Sequence, residues 1–257
     1  MLLRPLGLVS LALLTVTPGV AQEAATPHEM HRRHQDPTAY MAALDDPARD
    51  EYSKPEEVVR ALALQEGEVV ADIGSGTGYF TLRLARAVGE SGRVFAVDVS
   101  PDMIRHLNRR LRDEGVRNVA AVLADPDDPL LPDASVDRVV IVNTWHHIRN
   151  RPAYLEKLKR ILRPGGRVVH IDFRKRDAPV GPPTSEKIAR DDLVEEMEAS
   201  AFRLSDEHDF LPYQYFLVFA LPENGVSGRS PSRTSPRPPP PPGSSSPSGA
   251  GDRWHTA

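Results

Sequence analysis

The sequence predicts an α/β protein with a doubly wound, mostly parallel seven-stranded sheet that ends in an antiparallel hairpin. Apolar segments of strand length alternate with amphipathic segments of helix length, and a glycine-rich turn joins the first such pair. Two further strand-like segments, 202–209 and 215–221, follow each other around Pro212 with no helix between them. Strand–helix alternation with short loops produces parallel strands covered by helices on both faces.

The first strand and its turn are the most informative part of the chain. Residues 69–73 form an apolar run, and Gly74, Gly76 and Gly78 follow at alternate positions before a predicted helix over 79–88. Glycine lets a backbone approach a ligand closely and adopt dihedrals that a Cβ forbids. A strand, a glycine turn and a helix therefore indicate a site for a nucleotide-like ligand.

The acidic residues and the spacing of the glycines indicate which type of ligand the turn binds. Asp98 ends the second predicted strand, twenty residues after Gly78, where a ribose-binding carboxylate belongs in a nucleotide-binding α/β unit. The dinucleotide pattern requires a small residue where this chain has Tyr79. Asp72 would repel a pyrophosphate and suits a ligand with a cationic amino group. These features disfavour a nicotinamide oxidoreductase.

The residues from Asp72 to Gly78, Asp-Ile-Gly-Ser-Gly-Thr-Gly, resemble motif I of the class I S-adenosylmethionine-dependent methyltransferases. The resemblance covers about residues 55–221 and implies a Rossmann-like methyltransferase fold with S-adenosylmethionine as cofactor. The terminal hairpin resembles the antiparallel strand insertion of that fold, which a dinucleotide-binding domain lacks. The cofactor-binding residues that the resemblance implies are Asp72, Gly74, Ser75, Gly76, Thr77 and Gly78 for the methionine part, Asp98 for the ribose, Val99 and Asp125 for the adenine, and Asn143 beside the transferable methyl.

The remaining elements follow in order. Two short helices are expected within residues 37–64, and the second starts at Pro55. Tyr52 and Lys54 lie just before this second helix, and two roles stay open for each: packing at the surface or contact with the ligand. Further strands are predicted at 94–99, 119–123, 136–143 and 167–173, and helices at 101–114 and 152–162. Pro164, Gly165 and Gly166 form a strong helix stop. Ser185 is expected to cap a last helix over 186–199.

The end of the fourth strand, from Asn143 to Ile148, resembles motif IV of the type 11 methyltransferases. Ligands of open α/β sheets lie beyond the carboxyl ends of the strands, so Asn143, His146 and His147 are the candidate catalytic residues. Either histidine can act as a base or only shape the loop, and Asn143 suits an orienting role. A metal site of Asp172 with His147 is an alternative, but the usual acidic cluster is missing and we predict no metal.

Composition excludes other classes of function. The chain has 257 residues, a net charge of −4 and no cysteine, so thiolate nucleophiles, cysteine-ligated metals and disulfides are excluded. The folded part has no long basic block, and the nucleic-acid amino-methyltransferase motif is missing. We therefore predict a small-molecule substrate and no nucleic-acid partner, and the oligomeric state stays open.

Four segments are predicted. Residues 1–21 resemble a secretory signal, because a basic Arg4 precedes an apolar run too short to span a membrane and small residues end at Ala21. Residues 22–36 are a flexible linker, 37–221 the methyltransferase domain and 222–257 a disordered tail rich in Pro, Ser and Gly. The predicted signal implies that the protein is exported to the periplasm or the medium. The alternatives are an uncleaved anchor or a misassigned start codon, the latter placing the protein in the cytoplasm.

Two functions therefore remain open. The first is an enzyme that transfers a methyl group to a small molecule by aligning the acceptor with the sulfonium methyl. The second is a non-catalytic S-adenosylmethionine-binding protein of the same fold. Export favours the second, because S-adenosylmethionine is made in the cytoplasm.

Overall fold

The computed structural model describes residues 37–222. The predicted signal segment, the linker and all but Pro222 of the predicted tail lie outside the described residues. None of the helices within the described range is long and apolar enough to cross a membrane.

The sheet has seven strands in the order β3-β2-β1-β4-β5-β7-β6. Strands β1 to β5 are parallel, whereas β7 runs antiparallel to both β5 and β6. This architecture confirms the predicted fold class, including the terminal hairpin. The strands are β1 Val69–Ile73, β2 Arg93–Asp98, β3 Val119–Leu123, β4 Val136–Val142, β5 Leu162–Phe173, β6 Arg203–His208 and β7 Gln214–Ala220.

The described part of the chain contains seven α-helices. They are α1 Pro37–Leu44, α2 Arg49–Ser53, α3 Pro55–Leu62, α4 Thr81–Ala87, α5 Pro101–Asp113, α6 Arg151–Ile161 and α7 Arg190–Ala199. Single 3₁₀ turns occupy Trp145–His147 and Thr184–Glu186.

The expectation of two helices within residues 37–64 was wrong, because this segment forms three. Lys54 adopts a left-handed conformation with φ 42° and ends α2, and Pro55 then begins α3. A residue before proline is disfavoured in the right-handed helical region, so one continuous helix cannot pass through this position.

The last predicted helix also begins later than expected. Ser185 lies in a 3₁₀ turn rather than at a cap, and α7 starts at Arg190 with Ala189 before it. Lys187 explains the delay: its side chain is buried, and its Nζ donates a hydrogen bond to the Arg176 carbonyl at 2.7 Å. That contact holds Lys187 in an extended conformation, which a helix starting at 186 would not allow.

Helix α6 ends at Ile161, close to the predicted end at 162 and just before the predicted stop at Pro164, and β5 begins directly afterwards. The predicted stop segment forms an irregularity within β5. Val136 pairs with Leu162 but Arg138 pairs with Arg167, so the β5 side holds three extra residues at this point.

Both faces of the sheet are buried, as expected for parallel strands. Along β4, Val139 and Ile141 face the core beneath α6 and α7, whereas Val140 faces the core beneath α3 and α4. Because the sheet is packed on both faces, the strand ends from which the carboxyl-edge loops start are held by core contacts.

Candidate active site

The loops after β1, β2, β3 and β4 meet at the carboxyl edge of the sheet and enclose a cavity of about 480 Å³. A volume of this size is typical of small-molecule sites. All of the predicted cofactor-binding and catalytic residues except Gly78 line it. The sequence-predicted residues at the wall are Asp72, Gly74, Ser75, Gly76, Thr77, Asp98, Val99, Asp125, Asn143, His146 and His147.

The glycine turn has the backbone that the sequence predicts. Gly74 has φ +74° and Gly78 has φ +92°, both in the left-handed region. A Cβ on Gly74 would lie 2.2 Å from Thr144 Oγ1, and one on Gly78 would lie 2.5 Å from Leu107 Cδ1. The turn therefore packs directly against the loop after β4 and against α5, although Gly78 itself does not line the cavity.

Asp98 is held in a fixed orientation by two backbone donors. Gly76 N–H donates to Oδ2 at 2.9 Å, and Ser100 N–H donates to Oδ1 at 2.8 Å. A carboxylate oxygen can accept more than one hydrogen bond, so both oxygens keep acceptor capacity towards the cavity. Burial raises the pKa of Asp98 above its ordinary value. The next residue, Val99, leaves 55% of its surface exposed at the cavity wall.

Asp72 lies deeper than Asp98, with only 3% of its surface exposed. The Thr81 hydroxyl donates to Asp72 Oδ2 at 2.6 Å. Burial raises the pKa of Asp72 to about 6, and the charge of Asp98 adds to this effect. A buried carboxylate with a raised pKa favours a cationic group beside it.

Two hydroxyls of the glycine turn and one exposed carboxylate complete this half of the cavity. Ser75 Oγ and Thr77 Oγ1 are buried and have no hydrogen-bond partner among residues 37–222. Asp125 is exposed, and its backbone pairs with that of Asp128 across a short turn. The Asp125 carboxylate therefore remains at the wall of the cavity.

The other half of the cavity is formed by the loop after β4. Asn143 has φ +51°, and its Oδ1 accepts a hydrogen bond from Gln214 Nε2 at 2.8 Å. This contact ties the loop to β7 and uses the Asn143 amide oxygen. The amide N–H₂ group of Asn143 remains as the donor that suits the predicted orienting role.

His146 makes the contact that the sequence did not predict. Its Nδ1 lies 3.0 Å from Asp172 Oδ2, and the two side chains are 6% and 2% exposed. The other carboxylate oxygen accepts the Phe173 N–H at 2.8 Å. His147 is exposed, and its ring centroid lies 4.1 Å from that of His146.

The residues around the metal alternative lie in different surroundings. Asp172 contacts His146 rather than His147, and His170 is fully buried against Trp145 and Phe219. Burial lowers the pKa of His170 to about 3, so its ring is neutral. Within residues 37–222, no group of three or more histidine or acidic side chains is placed to hold a metal.

Helices α1 and α2 form a wall that the sequence predicted only in outline. Tyr40 and Leu44 of α1, together with Arg49 and Tyr52 of α2, line the cavity, whereas Lys54 does not and instead pairs with Glu57. An Arg49–Tyr79 stack, with the guanidinium 4.1 Å from the ring centroid, helps hold α2 against the glycine turn.

Comparison with known proteins identifies the family. A profile described as a methyltransferase domain matches residues 70–166. The solved structure of an S-adenosylmethionine-dependent methyltransferase from Aquifex aeolicus superposes with a TM-score of 0.69 at 30% identity, covering 72% of this chain and 97% of that chain. This chain belongs to the S-adenosylmethionine-dependent methyltransferases. Its cofactor is S-adenosylmethionine.

Curated relatives match a shorter stretch of the methyltransferase. Ubiquinone/menaquinone biosynthesis C-methyltransferases from Coxiella burnetii and Azotobacter vinelandii are 34% and 36% identical over 113 residues, or 44% of this chain. The chain spans about half the length of these relatives, 45% in both cases.

The residues present fit this cofactor. Val99 offers an exposed apolar surface for a planar ring, Asp98 has acceptor capacity for hydroxyl groups, and Asp72 favours a cation.

The sequence analysis did not identify Asp172 as a partner of His146, although one signal was available. Asp172 precedes the end of β5, and β5 is the parallel neighbour of β4, so their carboxyl ends lie side by side.

Proposed function

We propose that this methyltransferase transfers a methyl group to a small-molecule acceptor bound beside His146. The observation that carries the proposal is the shared cavity, because one continuous volume is bounded by the glycine turn, Asp98 and Val99 on one side and by the loop 143–148 on the other. Bound cofactor supplies an electrophilic sulfonium methyl. The contribution of the protein is then to bind, align and exclude water.

The cofactor half of the proposal assigns each predicted residue a contact. Asp98 accepts from both ribose hydroxyls, Val99 packs on the adenine, and Asp125 accepts from the adenine amino group. Asp72 faces the cationic amino group. The supporting observations are the orientation of Asp98 by two backbone donors and the exposure of Val99 at the cavity wall. The residues proposed to hold the methionine part are Gly74, Ser75, Gly76, Thr77 and Gly78.

The methyl acceptor is proposed to bind against Asn143, His146 and His147. Tyr52, Phe173 and Pro182 provide apolar surface to the same cavity. The curated relatives are named for C-methylation in quinone biosynthesis, which supports a small, largely apolar acceptor over a macromolecule.

Binding and turnover are tested separately. Calorimetry should detect S-adenosylhomocysteine binding and no NAD binding, because Tyr79 replaces the small residue of a dinucleotide site. Radiolabelled S-adenosylmethionine incubated with extracts of the source cells should then give a labelled product. NAD binding without S-adenosylhomocysteine binding would refute the proposal.

A non-catalytic cofactor-binding protein is the second candidate, and the signal-like residues 1–21 favour it. An exported protein would be separated from cytoplasmic S-adenosylmethionine. We propose export with cleavage after Ala21, so that N-terminal sequencing of the native protein should begin at Gln22. Recovery of intact Met1 from a cytoplasmic fraction would contradict export. Cofactor binding without label transfer to any acceptor would favour the non-catalytic candidate.

A further inference from the structure

The His146–Asp172 pair is a contact at the acceptor half of the cavity that alignment of a methyl donor does not require. Both side chains are nearly buried, yet His146 also lines the cavity. A carboxylate only accepts hydrogen bonds, so Nδ1 carries a proton that it donates to Asp172 Oδ2. In the neutral ring this leaves Nε2 as an acceptor, and Nε2 has no hydrogen-bond partner among residues 37–222.

We propose that His146 is the general base of the reaction and that Asp172 is the positioning residue that sets its tautomer. The substrate class that follows is an acceptor with an acidic hydroxyl, such as a phenol, an enol or a quinol. Amine acceptors that already carry a free lone pair need no such base. This inference rests on the proposed methyl transfer and adds to it the chemical class of the acceptor.

The proposed step balances without any further reactant. The hydroxyl proton moves to His146 Nε2, the freed oxygen forms a bond to the methyl carbon, and the carbon–sulfur bond breaks with its electron pair returning to sulfur. Where a ring carbon conjugated with that oxygen attacks instead, the new bond forms at the carbon, whose own proton is lost as the hydroxyl is restored. His146 then releases its proton to water.

Charged and titratable groups face the pair from several elements, and Arg151 and Glu196 act on the Tyr215 hydroxyl beside Asp172. Asp172 faces His146 from β5, and Tyr215 lies opposite Asp172 in the register of β7, with its buried hydroxyl unbonded within the described residues. His147 stacks beside His146 on the same 3₁₀ turn. Lys187 interacts electrostatically with Asp172 from the segment before α7. Asp172 is the anion in direct contact with His146 and stabilises the imidazolium formed by proton transfer.

The two oxygens of Asp172 make an isosteric test possible. Oδ1 accepts the Phe173 N–H and Oδ2 accepts from His146, so both oxygens are used. Asn at this position has one oxygen. If that oxygen keeps the Phe173 contact, the amide N–H₂ faces His146 Nδ1 and drives the ring proton to Nε2. Asp172→Asn should therefore keep the shape of the site and remove the acceptor nitrogen.

The tautomer is measured by nitrogen NMR of histidine-labelled protein in complex with S-adenosylhomocysteine, with His146→Gln used to assign the resonances. We expect the wild-type neutral ring to carry its proton on Nδ1 and the Asp172→Asn ring to carry it on Nε2. A wild-type ring protonated on Nε2, or a tautomer unchanged by the substitution, would overturn the proposal. Binding of S-adenosylhomocysteine in the same samples keeps this outcome distinct from failure of the proposed function.

Turnover is measured with 1,4-dihydroxynaphthalene, kept reduced, and with catechol as acceptors. We expect transfer by the wild type and a loss of kcat of about 100- to 10,000-fold in His146→Gln and Asp172→Asn, with KM for S-adenosylmethionine within a few-fold. The wild-type rate should rise with pH to a plateau, and this rise should vanish in His146→Gln.

The matched control is Asp206→Asn, which changes another histidine–aspartate pair, located in β6 of the terminal hairpin. His208 Nε2 and Asp206 Oδ2 lie 3.7 Å apart and Asp206 is 58% exposed. This control should retain full activity. Wild-type protein that binds S-adenosylhomocysteine but methylates neither hydroxyl acceptor would overturn the substrate class, and full activity in His146→Gln would overturn the base.

Discussion

Replacement of Asp72 by Asn should stabilise the cofactor-free protein while weakening cofactor binding. Asp72 is buried, and the Thr81 hydroxyl is its hydrogen-bond donor. Burial raises its pKa to about 6, which means that the folded chain disfavours the ionised carboxylate. Asn keeps the size and an acceptor oxygen for Thr81 but carries no charge.

The magnitude follows from the pKa. Raising the pKa of Asp72 from 3.8 to about 6 corresponds to a cost of about 3 kcal/mol for the ionised form. Because the folded pKa is the higher one, this cost is fully present above pH 6 and disappears as the pH falls towards 4. Asp72→Asn should therefore raise the free energy of unfolding at pH 7.5 by up to about 3 kcal/mol and change it little at pH 4.

The assay is urea unfolding at both pH values, combined with calorimetric titration of S-adenosylhomocysteine. Affinity of the wild type should fall about tenfold per pH unit below pH 6, because protonated Asp72 no longer attracts the ligand ammonium. In Asp72→Asn the affinity should be lower at pH 7.5 and should depend less steeply on pH than in the wild type. Thr81→Val is the companion variant, and it should destabilise the protein because ionised Asp72 loses its donor.

Two results would refute this reasoning. If Asp72→Asn lowers the free energy of unfolding at pH 7.5, the ionised carboxylate is stabilised by contacts that outweigh its burial. If affinity at pH 7.5 is unchanged, Asp72 does not face the cationic end of the ligand.

Three further predictions concern the cofactor loop and the core. Asp98→Ala should weaken S-adenosylhomocysteine binding by about ten- to several hundred-fold, since hydrogen bonds to a charged acceptor are worth roughly 1.5–3 kcal/mol each. In the same calorimetric titration His146→Ala and His147→Ala should stay within a few-fold, and a larger loss in either would place the ribose elsewhere. Gly74→Ala should unfold at a lower urea concentration than Gly115→Ala. Both glycines have positive φ, but of the two only a Cβ at Gly74 would meet another residue. Equal urea midpoints of the two variants would refute the clash. His170→Leu should flatten the decline in stability below pH 6.5, because burial lowers the pKa of His170 to about 3 and unfolding exposes a ring that binds a proton; an unchanged pH slope in urea unfolding would contradict this.

The strand pattern and the glycine turn could be predicted because their causes are local. Apolar runs mark β1 to β5, and three glycines at alternate positions leave few backbone conformations open. Asp72 and Asp98 could be placed at the carboxyl edge of the sheet from chain position alone. Their hydrogen bonds with Thr81 and Gly76 then required only neighbouring elements.

The acceptor half was harder to predict because its contacts join distant segments. His146 and Asp172 are 26 positions apart, and Asn143 and Gln214 are 71 apart. Both contacts depend on which strands are neighbours and in which register. The start of α7 was mispredicted for a similar reason, since the bond from Lys187 to the Arg176 carbonyl is a tertiary contact that overrides helix propensity.

The close approach of Gly74 and Thr144 limits how this enzyme can diverge. A Cβ at Gly74 would lie within 3 Å of three side-chain atoms of Thr144, so the β1 turn and the β4 loop fit together as one shaped surface. A loop grafted from another methyltransferase to change acceptor preference would bring its own residue to position 144. Such chimaeras should succeed only when that residue leaves the turn undisturbed, so new acceptor specificity is more accessible through His147 and the residues beyond it than through Thr144.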